Sequence, residues 1–390
     1  MVEQVQVRRS QIPVVITGMG GRSSLGTLPT SWRKLLNGES GLRQQQPFPT
    51  LPSKPLGMLG SQPMELSELT QQAVLMTLED GGLTPPLADC GIVVSSSRAQ
   101  QGQLEQLATQ WAKQSNFPNP QAWYAALPYN PGTLAAALCG SHGPVLSPMA
   151  ACATGIAAIA RGVQLIRERT CDRVLAGAVE TPITPLTLAS FDRMGALAKH
   201  GCYPFDRQRE GLALAEGAAL FLLERADLAQ QRQARIYGEV LDFGLTADGY
   251  HVSAPQPESL GAIAAVKHCL DRSQLTSQDI DYIHAHGTST QLNDSREAAL
   301  IQWLFPQGVP VSSTKGATGH TIGASGALGV AFCLLAMTDS RLPPCVGLRE
   351  SEFDLDLISQ TREQECNHSL CLSFGFGGQN AAIALSRYSP

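Results

Sequence analysis

Short runs of β-branched and aliphatic residues alternate along this chain with longer stretches whose apolar positions recur three or four apart. That rhythm predicts strands alternating with helices. "IPVVITG" (12–18) is β-branched and closed by Gly, so it is expected to be a buried strand. "TSWRKLLNGESG" follows as a short helix, with Thr30 as its expected N-cap and Gly38 as its stop. "LSELTQQAVLMTLEDGG" (66–82) has a clearer helical period, and "CGIVVSSS" (90–97) reads as a second strand. Residues 99–131, rich in Gln, Asn and Pro, are expected to form a surface excursion with helical pieces. "GPVLSPMAA" is expected to lead as a strand into Cys152, followed by a helix over about 154–168. "DRVLAGAVE" (172–180) and "GAALFLLER" (217–225) are further buried strands.

The same rhythm restarts at "RIYGEVLDFGLTADGYH" (235–251). "LGAIAAVKHCLDRS" reads as a helix, "IDYIHAHGTST" as a strand opening into a Gly/Thr/Ser loop, and "DSREAALIQWLF" as a helix with Asp294 near its start. "VPVSSTKGATGH" is a strand and loop, "GASGALGVAFCLLAM" a buried helix, and "SLCLSFGFGGQNAAIALSR" two strands around a Gly-rich turn. The alternation argues an α/β fold with covered sheets. The repeated unit of strand, Gly-rich turn and small-residue helix argues two related halves, 1–234 and 235–390, with the active site where their loops meet.

Composition narrows the function classes. The 390 residues are 43% hydrophobic and 16% charged, enough for a large core. The net charge of −5 has no long run of one sign, which argues against a general nucleic-acid surface. No stretch of about 18 apolar residues is read, so no membrane span is expected. The start, "MVEQVQVRRSQIPVV", reads as neither a secretory signal nor an anchor. The ten cysteines form no C-x-x-C pair, so no metal site is expected, and they read as reduced thiols of a cytosolic protein.

Candidate chemistry concentrates in four segments. In "SPMAACATGIAAIARG" (147–162) Cys152 stands among Ala and Gly at the start of an apolar helix. A free Cys commonly just packs. A thiol at a helix N-terminus is instead drawn toward its thiolate by unpaired N–H groups, and the small neighbours leave room for a carbonyl. "HAHGTSTQLND" (284–294) sets His286 beside hydroxyls, as a satisfied polar turn or as a ligand-holding loop. "SSTKGATGHTIGASG" (312–326) sets Lys315 and His320 in a Gly-rich loop; its Lys precedes the glycines, so it is not a phosphate loop. "LSFGFGGQN" (372–380) is a turn whose N–H groups suit an oxyanion. One thiol and one His would serve hydrolysis. A second His and a Lys suit a reaction that holds an acyl group on Cys and then forms a carbanion from a second substrate.

With these segments in this order, the chain resembles the elongating, type II β-ketoacyl-acyl carrier protein synthases of the thiolase-like superfamily, from "VVITGMG" to "SFGFGGQNAAIAL" and including "GCYPFDRQREGLALAEGAALFLLE" (201–224). Thiolases carry a second cysteine where His320 falls, and initiating condensing enzymes carry an Asn. The resemblance implies a layered α/β/α/β/α fold with central buried helices. It implies Cys152 as nucleophile, His286 and His320 as the groups supporting decarboxylation and enolate stabilisation, and Lys315 as organiser of the second His. The N–H groups of Cys152 and Phe376 would form the oxyanion hole, Phe376 doubling as a gate. Thr288 and Thr290 match positions that hold phosphopantetheine. Asp294, Glu297, Gly375, Gly377, Gly378 and Asn380 match supporting positions. The implied reaction joins the acyl group on Cys152 to malonyl-acyl carrier protein, as in fatty acid elongation, with no cofactor. The implied partners are acyl carrier protein and a second synthase subunit, identical or related. A specialised polyketide or modified-lipid ketosynthase, or a weakly active partner subunit, is the alternative. The chain departs from the family pattern at Gly329, where a Glu usually partners the lysine, and at Arg98, where an apolar residue often lines the acyl pocket. No Lys or Arg lies between Lys54 and Arg98, so Arg161, Arg167 or Arg207 is expected to meet the carrier protein.

Overall fold

The expected opening strand runs as Val14–Ser23 (β1), and its first three residues are completely buried. The computed structural model describes residues 12–114 and 119–389. The reading of the first residues as neither signal nor anchor falls mainly on 1–11, outside the described residues.

After β1 the other main strands follow as Gly91–Ser95 (β2), Val145–Leu146 (β3), Arg173–Glu180 (β4), Gly217–Arg225 (β5) and Gly238–Ala247 (β6). The chain continues with Tyr282–His284 (β7), Pro310–Ser312 (β8), Asp356–Leu357 (β9), His368–Gly375 (β10) and Gln379–Ser386 (β11). With the short Gly26–Thr27 strand they form one twelve-stranded sheet in the order β9-β8-β7-β10-β11-β6-β1-β5-β4-β2-β3. One arm pairs β1 with β5 and β5 with β4 antiparallel, then β4 with β2 and β2 with β3 parallel. The other repeats that pattern: β6 with β11 and β11 with β10 antiparallel, then β10 with β7 and β7 with β8 parallel. The arms join through only two residue pairs of β1 and β6, Val15 with Glu239 and Ile16 with Gly238.

Helices cover both arms and fill the space between them. Leu66–Asp80 (α1) packs on β1 and β5, and Leu260–Ser273 (α4) on β6 and β11. In chain order between these come Gln101–Gln114 (α2) and Thr154–Arg167 (α3); Gln291–Leu304 (α5) and Ser325–Asp339 (α6) come after. The inner pair is α3, against β2 and β4, and α6, against β5 and β10. The helix α6 runs almost entirely buried and shows no polar face, whereas α3 buries all but a single stripe, Ala157, Arg161, Gln164 and Arg167. They cross closely because a Cβ on Gly155 would stand 2.5 Å from the Ala327 nitrogen. Each is preceded by one 3₁₀ turn, Ala151–Ala153 and Ile322–Ala324. Each turn opens on a residue with left-handed backbone, Ala151 at φ 46° and Ile322 at φ 43°.

Three expectations need correction. The helix Leu28–Leu36 begins after Thr27, one turn earlier than placed, because Pro29 fits the first turn and draws the start forward; Thr30 lies inside it. The strand leading to Cys152 shrinks to β3, since Pro144 and Pro148 flank it without N–H donors. The segment Ile322–Asp339 does reach the length and apolarity of a membrane span, but it is 89% buried as the inner helix α6. The Gln-rich region 99–131 holds α2, the short helix Pro120–Ala125 and the start of Asn130–Cys139.

Candidate active site

The two 3₁₀ turns and the loop after β7 meet at one point. The Cys152 sulfur and ring nitrogens of His286 and His320 lie within 4.8 Å of one another, all three residues buried. They line a cavity of about 370 Å³ together with Thr288, Thr290, Phe191, Phe374 and Phe376. The sequence-named Gly375, Gly378 and Asn380 also line it, while Gly377 lies at the turn between them.

Burial dominates the electrostatics. It pushes the Cys152 thiol up to about 11, against the Lys315 ammonium and the N–H groups of Phe376 and of Cys152 itself, which favour the thiolate. The expectation that the helix N-terminus draws this sulfur toward its thiolate is therefore corrected: desolvation outweighs the nearby positive charge, and the resting sulfur is protonated. The same observation places the Phe376 and Cys152 N–H groups around the sulfur, where an acyl oxygen would be received. Gly375 permits that approach, since an added Cβ would stand 2.9 Å from the Cys152 nitrogen. Phe376 stacks on Phe191 with centroids 5.9 Å apart and is itself exposed, at the boundary of the cavity.

Both imidazoles are held neutral, far below the usual histidine range, first by burial and then by Lys315. The rings meet edge to face at 5.3 Å. Lys315 donates to the His286 carbonyl oxygen and lies 3.5 Å from His286 Nδ1. An ammonium cannot accept, so Nδ1 is the acceptor and the ring proton sits on Nε2. His320 Nδ1 is 2.8 Å from the Ser325 hydroxyl; with that hydroxyl donating, its ring proton also sits on Nε2. Lys315 therefore contacts His286, not His320 as the resemblance implied, because its ammonium finds the His286 carbonyl first.

The supporting acids are buried loop organisers rather than exposed helix-end carboxylates. Asp294 accepts from the N–H groups of Thr288, Ser289 and Phe205. Glu297 accepts from those of His286 and Gly287, at 2.6 and 2.7 Å. Burial raises both acids, Glu297 to about 7. The Thr288 and Thr290 hydroxyls share a 2.8 Å hydrogen bond at the cavity wall. Asn380 donates to Asp248 and to the Gly378 carbonyl, fixing the turn through Gly377 and Gly378, both with left-handed φ.

Sequence reasoning missed Ser325 and Glu180. Ser325 looked like one small helix residue among several. Glu180 ends an apolar strand, a signal that was present; its fully buried carboxylate accepts from Gly323, Ser96, Ser97 and the Arg98 N–H, tying the two arms together behind the sulfur. Gly329 leaves no room for the expected glutamate: its Cβ would meet Cys371 Sγ at 2.7 Å and His284 Nδ1 at 2.8 Å. Of the proposed docking arginines, Arg167 is engaged by Asp242 and two carbonyls, whereas Arg161 and Arg207 keep exposed guanidinium groups in surface pairs.

The comparisons with known proteins agree with this geometry. Residues 65–229 match the N-terminal domain of the β-ketoacyl synthases, and residues 237–349 match the C-terminal domain. This chain is a member of the β-ketoacyl synthase family. Like its relatives in that family, it is an acyltransferase-type condensing enzyme with a thiolase-like fold. It is 31% identical to the tetracenomycin polyketide synthase ketoacyl synthase alpha subunit of Streptomyces glaucescens, over 97% of this chain and 98% of that one. It is 33% identical to 3-oxoacyl-[acyl-carrier-protein] synthase 2 of Staphylococcus aureus, over 64% of this chain and 63% of that one. The solved structure of the ishigamide ketosynthase/chain length factor superposes with a TM-score of 0.90 at 27% identity, covering 97% of this chain and 100% of that one.

Proposed function

We propose that this ketosynthase joins an acyl group held on Cys152 to a malonyl unit carried by acyl carrier protein, with loss of carbon dioxide. The observation that carries the reading is the convergence of one thiol and two neutral imidazoles in one cavity. In the first step the sulfur bonds to the acyl carbon of the arriving thioester as it gives up its proton. The carrier thiol leaves and takes up that proton. The N–H groups of Cys152 and Phe376 receive the oxyanion.

In the second step the malonyl thioester oxygen meets Nε2–H donors of His286 and His320. They stabilise the enolate as the carboxylate departs as carbon dioxide. The carbanion bonds to the acyl carbon, the sulfur–acyl bond breaks, and the Cys152 thiolate takes up one proton from solvent. The product is a 3-oxoacyl thioester two carbons longer. No residue in this series of steps needs a metal or redox partner to balance it. Thr288 and Thr290 present hydroxyls to the amides of the phosphopantetheine arm.

Two pathways use this chemistry, fatty acid elongation and a specialised polyketide or modified-lipid route, and each has a relative aligning over nearly the whole chain: a mitochondrial 3-oxoacyl-[acyl-carrier-protein] synthase of Schizosaccharomyces pombe and the polyketide ketoacyl synthase alpha subunit. A partner subunit without activity of its own has no use for the assembled thiol and imidazoles. Incubation with an acyl-loaded carrier protein followed by malonyl carrier protein tests the reading. Label on Cys152 that is then released as a 3-oxoacyl product is expected. With His320→Ala, carbon dioxide release from the malonyl unit should fall much more than acylation of Cys152. Normal decarboxylation in that variant would exclude His320 as a donor to the enolate oxygen.

A further inference from the structure

Cys371 on β10 and His284 at the end of β7 touch one another, both buried, and neither lines the cavity that holds Cys152. Cys371 Sγ lies 3.9 Å from His284 Nδ1 and 3.8 Å from the Gly326 carbonyl oxygen of α6. Gly329 leaves the space for this approach, since a Cβ there would crowd both side chains. On the far side of the ring, His284 Nε2 lies 3.1 Å from the hydroxyl of Thr314, the residue before Lys315. A neutral Cys371 would donate to the carbonyl oxygen; a thiolate would accept from the ring Nδ1–H.

Lys315 decides between the two. Its ammonium is buried, and its hydrogen-bond contacts are all to His286. Among the described residues no carboxylate lies within ion-pair distance of it. A buried ammonium without a counter-charge is costly. Glu297 is its strongest negative neighbour, followed by Cys152, Cys371 and Cys202. Both oxygens of Glu297 accept main-chain N–H groups, and burial lifts its carboxyl to about 7, so at neutral pH it carries only part of a charge. Burial pushes Cys152 up to about 11 and Cys202 to about 12, so both stay protonated. The groups that face Cys371 are Tyr282 and His284 of β7, Cys333 of α6 and Lys315. Against its own burial, a bond from the Cys333 S–H, then His284 and Lys315, draw the Cys371 thiol down to about 5. The other nine thiols are all pushed up by burial.

We propose that Cys371 is the counter-ion of Lys315, a buried thiolate held by the Nδ1–H of His284, which keeps Lys315 charged and aimed at His286. The Thr314 hydroxyl donates to His284 Nε2 and so fixes the tautomer. The Cys371 proton goes to solvent on folding while Lys315 keeps its own, and the pair is neutral overall. Cys371 and His284 are therefore positioning residues, acting on the malonyl unit through Lys315 and His286. This rests on the reading of His286 as a donor to the enolate oxygen.

The ultraviolet absorption of thiolate sulfur reads the charge directly. At pH 7 the wild type should exceed Cys371→Ser by the signal of one thiolate per chain, and in the wild type that signal should fade as the pH falls through about 5. Should Cys371→Ser fail to fold, the acid titration of the wild type decides the charge alone. The positioning role is read from the pH profile of malonyl carrier protein decarboxylation. Its alkaline limb, where Lys315 loses its proton, should move down by about one pH unit in Cys371→Ser, because an opposite charge beside the ammonium is gone. A purely structural role would lower the rate without moving the limb. Equal thiolate signals in wild type and variant, or a limb that stays in place, overturn the pairing and leave the condensing chemistry standing. Normal decarboxylation in His286→Ala, with the thiolate signal intact, overturns the reading of His286 and the positioning role with it.

Discussion

Lys315 grips His286 twice, through a hydrogen bond to its main-chain oxygen and a 3.5 Å contact to its ring Nδ1. On the other side of the same residue, Glu297 accepts the main-chain N–H. The ring is thus fixed in place and in tautomer by a cation that never needs to touch the substrate. Lys315→Met should lower decarboxylation of malonyl carrier protein by about 10²-fold, the usual worth of a positioned proton-donating group. Lys315 also holds the imidazole below its ordinary range. Its removal should therefore move the acid limb of the pH–rate profile to higher pH. An unshifted limb would reduce Lys315 to a packing role.

The resting thiol makes a prediction that needs no substrate. With Cys152 pushed up to about 11, its thiolate fraction grows tenfold per pH unit throughout the neutral range. Alkylation by iodoacetamide should rise about 100-fold between pH 7 and 9, since only the thiolate reacts. A preformed thiolate–imidazolium pair would give a flat rate across that window, and mass mapping of the alkylated residue distinguishes the two.

Gly329 separates a missing partner from a refilled space. A Cβ there would collide with Cys371 and His284, and both are buried against α6. Gly329→Ala should cost about 1–3 kcal/mol in denaturant unfolding, as overpacking does. Gly329→Glu should not improve activity, and shortening Cys371 to Ala should recover part of the stability lost by Gly329→Ala. Full stability in Gly329→Ala would show that the cluster yields.

Glu297 ties stability to pH. Burial lifts its carboxyl to about 7, above the ordinary glutamate value of 4.5, so the folded protein binds its proton more tightly than the unfolded chain. The stabilising contribution is complete below pH 4.5 and is lost as pH rises through about 7. Relative to Glu297→Gln, the wild type should lose stability between pH 5 and 8. A constant difference across that range in chemical denaturation would refute the shift.

The sulfur and both imidazoles were legible from the sequence only as a set: each segment alone could serve packing or a polar turn, and the chemistry shows in their occurring together and in one order. Phe376 and the threonines were singled out only through resemblance, since nothing local distinguishes a Phe at a cavity wall from any exposed Phe. Ser325 was hidden because its role depends on the fold of a 3₁₀ turn, not on its neighbours in the chain. The thiol's protonation was misjudged because helix-end charge is visible in sequence while burial is not. Thr30 was misplaced as a cap because Pro29 fixes the first turn from one position earlier. The division into repeating halves could be sensed from rhythm, but not the joining of both arms into one sheet by two residue pairs.

The close crossing at Gly155 and the matched turns at Ala151 and Ile322 couple the sulfur to the second imidazole mechanically. Each group stands at or just before the 3₁₀ turn that leads into one helix of that closely crossed pair. Substrate range in this scaffold is then left to the surrounding cavity walls, whose side chains can change while the reacting groups stay in place.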